Sequence, residues 1–333
     1  MLPGISVVIP LYNKGPYIAR ALNSVLAQTV RDFEVIVVDD GSTDDGAETV
    51  RGFEDPRIRL IRQENRGVSA ARNEGIEAAR AELVAFLDAD DEWMPRHLEA
   101  LLRLQDKFPR AGAYGTAYLL KENDSTIRVP PFSTDIPPEP WEGLLSNYYR
   151  DAIRGTPPIS SSIVAVPKRI LDEMAGFDTG AWYGEDVDLW GRIALKYPIA
   201  FTWDGMGIYH KEAENRACNK KEPIREHIFV IFARNALQAG EVPPELKGDL
   251  LEYVASRQIQ IACRNLEAGR PDLARVNLKR CKTRHLWKSK YLALFRAHVP
   301  SGIYPVLSNW RSKVKGISAR KPGAKTQKGG APK

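Results

Sequence analysis

Leu83-Val84-Ala85-Phe86-Leu87-Asp88-Ala89-Asp90-Asp91-Glu92-Trp93 is the stretch whose reading decides the fold. Five apolar residues run straight into a cluster of acids. A continuous apolar run bounded by a polar cluster reads as a strand buried on both faces. In open α/β sheets, ligands bind just outside the carboxyl ends of such strands. The acids therefore stand where a ligand would stand. Asp88 and Asp90 are two apart, and in an extended segment such side chains point the same way. Two converging carboxylates can hold a hard divalent cation that takes its remaining oxygen ligands from phosphate. The competing reading is a solvated acidic turn, with Asp91 or Glu92 capping a helix that has Pro95 near its first turn.

The flanking sequence repeats the pattern. Ile5-Ser6-Val7-Val8-Ile9-Pro10 reads as a first buried strand, followed by a polar loop over 11–15 and a helix over 16–28. Phe33-Glu34-Val35-Ile36-Val37-Val38 predicts a second strand, running into the turn Asp39-Asp40-Gly41-Ser42-Thr43-Asp44. A short helix to Phe53, a strand over 58–61 and a helix over 68–81 lead back to the acidic stretch. Strand–helix alternation predicts parallel βαβ units, and right-handed crossovers put the strand ends on one edge. Asp39, Asp40, Arg72, Asp88 and Asp90 are thereby expected to line one cleft. A helix over 95–107 and a strand over 113–119 continue the series. The proline-rich stretch 121–158 reads as a long loop region over one face. A strand over 160–166, a helix to Met174, a helix from Gly184 to Lys196 and a strand over 199–203 follow. Residues 222–281 read as helical, with 246–281 as a helical hairpin, and 316–333 as disordered.

Composition sets outer bounds. The chain has 333 residues, 43% hydrophobic and 27% charged, as in ordinary globular proteins. Cys218, Cys263 and Cys281 are widely spaced, which predicts neither a disulfide framework nor a zinc site and suits a reducing compartment. No leader pattern precedes the first strand and no window has the apolar length of a membrane span, so secretion is not expected. The net charge of +6 is unevenly spread: residues 270–333 hold 17 Lys and Arg against the single acid Asp272. A basic tail on an acidic body points to an anionic partner surface.

Four motifs in order then carry a family resemblance. They are Ser6-Val7-Val8-Ile9-Pro10-Leu11-Tyr12-Asn13, Val37-Val38-Asp39-Asp40-Gly41-Ser42-Thr43-Asp44, Asn65-Arg66-Gly67-Val68-Ser69-Ala70-Ala71-Arg72-Asn73 and Phe86-Leu87-Asp88-Ala89-Asp90-Asp91. A fifth, Gly176-Phe177-Asp178 followed by Gly184-Glu185-Asp186-Val187-Asp188-Leu189-Trp190, completes the set. Residues 4–210 thus resemble the family 2 glycosyltransferases of the GT-A fold. The resemblance implies a Rossmann-like α/β domain over 1–215, with a mostly parallel sheet flanked by helices. Beyond it lie a helical extension over 216–283 and a basic amphipathic tail over 284–333.

The resemblance also implies roles. Such enzymes move a sugar from a nucleoside diphosphate, a UDP-sugar being favoured here, to an acceptor hydroxyl. Asp90 would bind a divalent metal, Mn²⁺ or Mg²⁺, with Asp88 on the ribose or the metal and Asp91 able to take either role. Pro10 and Tyr12 would line the nucleotide pocket. Asp40, more than Asp39, would accept a hydrogen bond from the base, with Arg72 near the base or the phosphates. Asp186, with Glu185 beside it, would be the general base of an inverting displacement. His210 is either a third metal or phosphate contact or a plain loop histidine. The whole cleft is expected within the first 210 residues.

The acceptor class is a saccharide or a lipid-linked sugar, in surface polysaccharide or glycolipid synthesis. The tail interleaves its charge with Trp287, Tyr291, Leu292, Leu294, Phe295, Ile303, Tyr304, Val306, Leu307 and Trp310. That suits a cytoplasmic enzyme docked peripherally on the anionic inner face of a membrane, with no nucleic acid partner. Competing readings are a sugar-phosphate nucleotidyltransferase, a phospho-receiver domain and an inactive nucleotide-sugar-binding protein that docks on membranes. The first lacks a convincing phosphate loop in Pro10-Leu11-Tyr12-Asn13-Lys14-Gly15, and the second leaves half the chain unexplained.

Overall fold

The computed structural model describes residues 2–123, 126–214, 216 and 219–299. Its frame is a sheet opened by β1 (Ile5–Leu11), β2 (Phe33–Asp40), β3 (Ile58–Gln63) and β4 (Leu83–Phe86), all parallel. Val, Ile and Leu fill β1, β2 and β4, and these strands are buried almost throughout, as strands covered on both faces require. Helices α1 (Gly15–Leu26), α2 (Gly46–Arg51) and α3 (Val68–Ala78) make the crossovers. The strand order β3-β2-β1-β4 reverses at β1, which pairs with β2 on one side and β4 on the other. Ligands sit at such a switch point. It lies here between the carboxyl ends of β1 and β4, where Leu87 N–H donates to Val8 O at 3.1 Å.

Beyond β4 the sheet is mixed. The order continues through β9 (Val164–Pro167), β6 (Ala113–Asn123), β10 (Ile199–His210) and β5 (Glu92–Trp93). β9 runs antiparallel to both β4 and β6. Its chain arrives by a long excursion rather than by a compact helical crossover, so nothing constrains it to be parallel. Residues 160–163, expected in this strand, form a turn instead. β10 extends seven residues past the expected end. A register shift between Thr202 and Gly207 breaks its pairing with β6, and the apolar period is interrupted there.

The excursion over 121–158 is not all loop. It contains β7 (Thr126–Arg128), β8 (Glu142–Leu144) and α5 (Tyr148–Arg154), capped by the Asn147 side chain accepting from Arg150 N–H. Prolines fall between these short elements rather than inside them, which is why they left no periodic signal. Helices α4 (His97–Lys107), α6 (Lys168–Glu173) and α7 (Glu185–Lys196) complete the α/β part.

The helical extension comprises α8 (Ile228–Ala239), α9 (Pro244–Glu267), α10 (Pro271–Arg280) and α11 (Trp287–Arg296). α9 and α10 form the expected hairpin around Ala255, Ile259, Ala262, Ala274 and Leu278. The extension shares a core with the sheet. Tyr253 of α9 lies 5.4 Å from Tyr149 of α5 and 5.2 Å from Phe229 of α8, ring centre to ring centre. No helix among the described residues is long and apolar enough to cross a membrane. The expected disorder of 316–333 and the apolar positions Ile303–Trp310 lie outside the described residues.

Candidate active site

The acidic stretch leaves β4 as a tight turn, with Asp91 N–H donating to Asp88 O at 3.0 Å. It is therefore not extended at this point, and the turn rather than strand alternation brings Asp88 and Asp90 to the cleft. That cleft, of about 1260 Å³, is lined by both residues together with Pro10, Tyr12, Asp40, Arg72, Glu185 and Asp186.

Asp91 turns inward. Ser162 Oγ donates to its Oδ2 at 2.5 Å and His210 N–H to its Oδ1 at 2.9 Å. Burial, with Asp90 and Asp88 nearby, raises its pKa well above the usual carboxylate range. Both its oxygens are thus engaged in joining the turn to Ser162 and β10. It caps no helix: α4 starts at His97 without a side-chain cap.

Arg72 on α3 ties the site together. Its Nη2 donates to Asp88 Oδ1 and its Nη1 to Glu185 Oε1, each at 2.8 Å. The guanidinium lies 5.1 Å from the Phe177 ring centre and is almost wholly buried. Its neighbour Asn73 clamps the backbone of Phe177, donating to its O at 2.8 Å and accepting from its N–H at 2.9 Å. So α3 binds the turn after β4 and the approach to α7 to one point. The residue capping the start of α7 is Gly184, whose φ of +78° suits glycine.

Burial is the largest cause that raises the pKa of both acids opening α7. For Glu185, Asp186 adds to the rise, Arg72 opposes it, and the result is about 7. For Asp186, the Arg72 charge and Val187 N–H pull against the rise. Asp186 Oδ1 accepts from Val187 N–H at 2.7 Å. Asp188 faces the other way and binds Arg192 Nε at 2.7 Å.

The two acids ending β2 separate. Asp39 is fully buried, accepts from Ser42 N–H at 2.9 Å, pairs with Arg62 Nε at 3.2 Å and does not line the cleft. Asp40 accepts from Gln63 Nε2 at 2.6 Å, Arg66 N–H at 2.8 Å and Gly67 N–H at 2.8 Å. Its carboxylate thereby orders the 65–67 loop on the cleft wall. His210 is not brought into the cleft. Its ring nitrogens lie 2.8 Å from Glu92 and 2.6 Å from Glu212, and the residue is not among those lining the cleft.

Sequence reasoning passed over Lys14. Its Nζ pairs with Asp90 Oδ2 at 2.7 Å, and its place one residue past Asn13, in the loop between β1 and α1, was the available signal. It also confined the cleft to residues 1–210. In fact Arg216, Asn219, Lys220, His227, Arg257 and Gln260 line it too. No local pattern marks them: packing of α8 and α9 on α5 delivers His227, Arg257 and Gln260, while Arg216, Asn219 and Lys220 come from the connection between β10 and α8.

The donor set can be weighed against a divalent cation. Among the described residues no three His, Cys, Asp or Glu side chains form a metal cage. Asp88 uses Oδ1 for Arg72 and Asp90 uses Oδ2 for Lys14, which leaves each carboxylate a second oxygen at the cleft. Two such oxygens fit a cation that takes its other ligands from phosphate and water.

Comparison with known proteins gives a consistent family. Residues 6–165 match the family described as Glycosyl transferase family 2. An uncharacterized glycosyltransferase of Nostoc sp. is 41% identical over 291 residues, which is 86% of this chain and 84% of that protein. Among solved structures, TarS of S. aureus in complex with UDP-GlcNAc has a TM-score of 0.59 at 19% identity, covering 83% of this chain and 89% of that one. The mannosyltransferase PcManGT of Pyrobaculum calidifontis, in complex with GDP-Man and Mn²⁺, has a TM-score of 0.58 at 21% identity, covering 95% and 81%. At these identities the two structures speak for the shared fold.

Removing Arg72 should leave Glu185 as an uncompensated buried charge and part-exposed Asp88 without its partner. Arg72→Ala is expected to cost about 3–5 kcal/mol of stability. Arg72→Lys keeps the charge but not the fork that reaches two carboxylates, and should recover only part of it. Urea unfolding of the two variants checks this. Equal midpoints for Arg72→Ala and the parent would show that the bridge does not hold the site.

Proposed function

The chain belongs to glycosyl transferase family 2, and from this membership and its cleft we propose that it transfers a sugar from a nucleoside diphosphate, with UDP-sugars favoured, to an acceptor hydroxyl. The observation that carries the reading is the Arg72 bridge, which sets Asp88 beside the α7 acids in one cleft. The donors seen with the two structural neighbours, UDP-GlcNAc and GDP-Man, support it. Family membership disfavours the nucleotidyltransferase and phospho-receiver readings.

In this proposal Asp88 and Asp90 would hold Mn²⁺ or Mg²⁺, which neutralises the charge gathering on the leaving diphosphate. Lys14, already beside Asp90, supplies further positive charge there. Pro10 and Tyr12 line the nucleotide end, and Asp40 shapes it by ordering the 65–67 loop. Asp186 accepts the proton of the acceptor hydroxyl as that oxygen attacks the anomeric carbon. The bond from carbon to the diphosphate oxygen breaks on the opposite face, its electron pair leaves with the diphosphate, and the configuration inverts. Asp186 is preferred over Glu185 because Arg72 already engages Glu185. Burial makes Asp186 a stronger base than an exposed carboxylate once ionised. Asp91 and His210 are given structural roles.

The acceptor is proposed to be a saccharide or lipid-linked sugar, met at the cytoplasmic face of a membrane. α11 supports the second half of that. Trp287, Tyr291 and Phe295, spaced four apart on one helix face, are 51%, 60% and 58% exposed. Lys288, Lys290 and Arg296 lie on the same helix. Aromatic side chains beside basic ones suit the interface of an anionic leaflet.

Two outcomes test these roles. Asp186→Asn should cut turnover by roughly 10²–10⁴-fold with donor binding nearly intact. A raised pKa keeps the base protonated to higher pH, so the acid limb of the parent's rate profile should lie above the ordinary carboxylate value and vanish in the variant. Near-parental turnover of Asp186→Asn would remove Asp186 from the role. For the membrane, co-sedimentation with phosphatidylserine vesicles should exceed that with neutral vesicles at 0.1 M salt. It should fade at 1 M, where the Debye length falls from about 10 Å to about 3 Å. It should also weaken in Trp287→Ala/Phe295→Ala. Equal binding to both vesicle types, or none, would leave α11 without this function.

A further inference from the structure

The helical extension carries polar groups that the proposed chemistry leaves unused. His227, at the N-cap of α8, is 2% exposed and lines the cleft. Its Nδ1 accepts from Phe229 N–H at 3.1 Å, so in the neutral ring the proton sits on Nε2. That Nε2–H is buried and has no hydrogen-bond partner among the described residues. It abuts the backbone of Gly184, where a Cβ would stand 2.4 Å from it, one residue before the acids of α7. Burial, with Arg257 nearby, holds the ring neutral by lowering its pKa to about 3.

Gln260 of α9 mirrors this. Its Nε2 donates to Tyr183 Oη at 2.9 Å, while its Oε1 is a buried acceptor without a partner. One helical turn earlier, Arg257 also lines the cleft. Its guanidinium touches Ser256 Oγ at 3.2 Å and lies 4.9 Å from the Tyr253 ring centre, and among the described residues no carboxylate pairs with it. Trp182 and Tyr183 add aromatic faces to the same wall. A buried donor, a buried acceptor and a cation without a carboxylate, gathered on one wall, are costly unless a ligand completes them.

Resting on the glycosyltransfer reading, we infer that His227, Gln260 and Arg257 form the acceptor subsite, and that the acceptor saccharide carries an anionic group, carboxylate or phosphate, which Arg257 binds. His227 and Gln260 match sugar hydroxyls, each of which can both donate and accept. Arg257 supplies a planar fork suited to either oxyanion. The wall runs directly into Gly184-Glu185-Asp186, so a sugar held there presents its hydroxyl to the acids of α7. Lys14, Asp88 and Asp90 stand at the β1–β4 end, where the donor diphosphate is expected, so Arg257 is free for a second anion.

The test uses the full chain loaded with UDP and Mn²⁺, and saturation-transfer NMR with glucose, glucuronic acid and glucose 1-phosphate as probes. At least one anionic sugar should bind about tenfold more tightly than glucose, and which one does separates carboxylate from phosphate acceptors. Arg257→Gln should abolish that preference while UDP affinity, measured by calorimetry, is kept. Gln260→Ala should weaken all three sugars and preserve the preference. Equal binding of glucose and both anionic sugars, or a preference that survives Arg257→Gln, overturns the inference. A parallel loss of UDP affinity in Arg257→Gln would assign the residue to the donor end and overturn it as well. If the parent chain binds no UDP, the donor reading fails, and this inference with it.

Discussion

A guanidinium with almost no access to water must find anions or it cannot stay charged where it is, and Arg72 finds two from separate segments of the α/β domain. Asp88 comes from the turn after β4, and Glu185 from the start of α7. Burial by itself disfavours the arginine's charged form, yet the two carboxylates, with Asp186 nearby, raise its pKa on balance. A buried ion pair is weak evidence of net stability, because desolvation offsets much of the attraction. It is strong evidence of constraint, since any arrangement that parts the three groups strands a charge. Asn73, one residue on, clamps Phe177 and so fixes the chain that leads into α7.

That constraint explains how much of the site could be read in advance. Asp40, Asp88, Asp90, Glu185 and Asp186 sit at element ends that local patterns mark well: apolar runs stopping at acids, a glycine before a charged helical turn; Arg72 lies one turn into α3. Parallel topology then gathers those ends on one edge. What the pattern cannot give is which way a side chain turns. Asp91 and His210 look as chemically able as their neighbours, yet Ser162 and the strand β10 draw Asp91 inward, and Glu92 and Glu212 occupy the His210 ring. Asp39 and Asp40 are adjacent in sequence and face different surroundings for the same reason.

The fold was legible where burial is periodic and long, as in β1 to β4 and α9. It was illegible where pairing is distant. The antiparallel course of β9, the continuation of β10 past its bulge, and the short elements inside 121–158 all depend on partners far along the chain. The helical extension shows the same limit from the functional side. Its hairpin is plain in the sequence, but its contribution of His227, Arg257 and Gln260 to the cleft follows from Tyr253 packing on Tyr149 and Phe229. Core packing thus makes the extension part of the site rather than an appendage to it.

The central claim is that one cleft binds a nucleoside diphosphate through the acids after β4 and a divalent cation. Calorimetric titration of UDP into the full chain, with Mn²⁺ and again with the metal chelated, tests it most directly. The account predicts stoichiometric binding with Mn²⁺ that weakens severely on chelation, and a metal response lost in Asp88→Ala/Asp90→Ala. No binding of UDP or GDP under either condition, or binding indifferent to metal and to both acids, would contradict it.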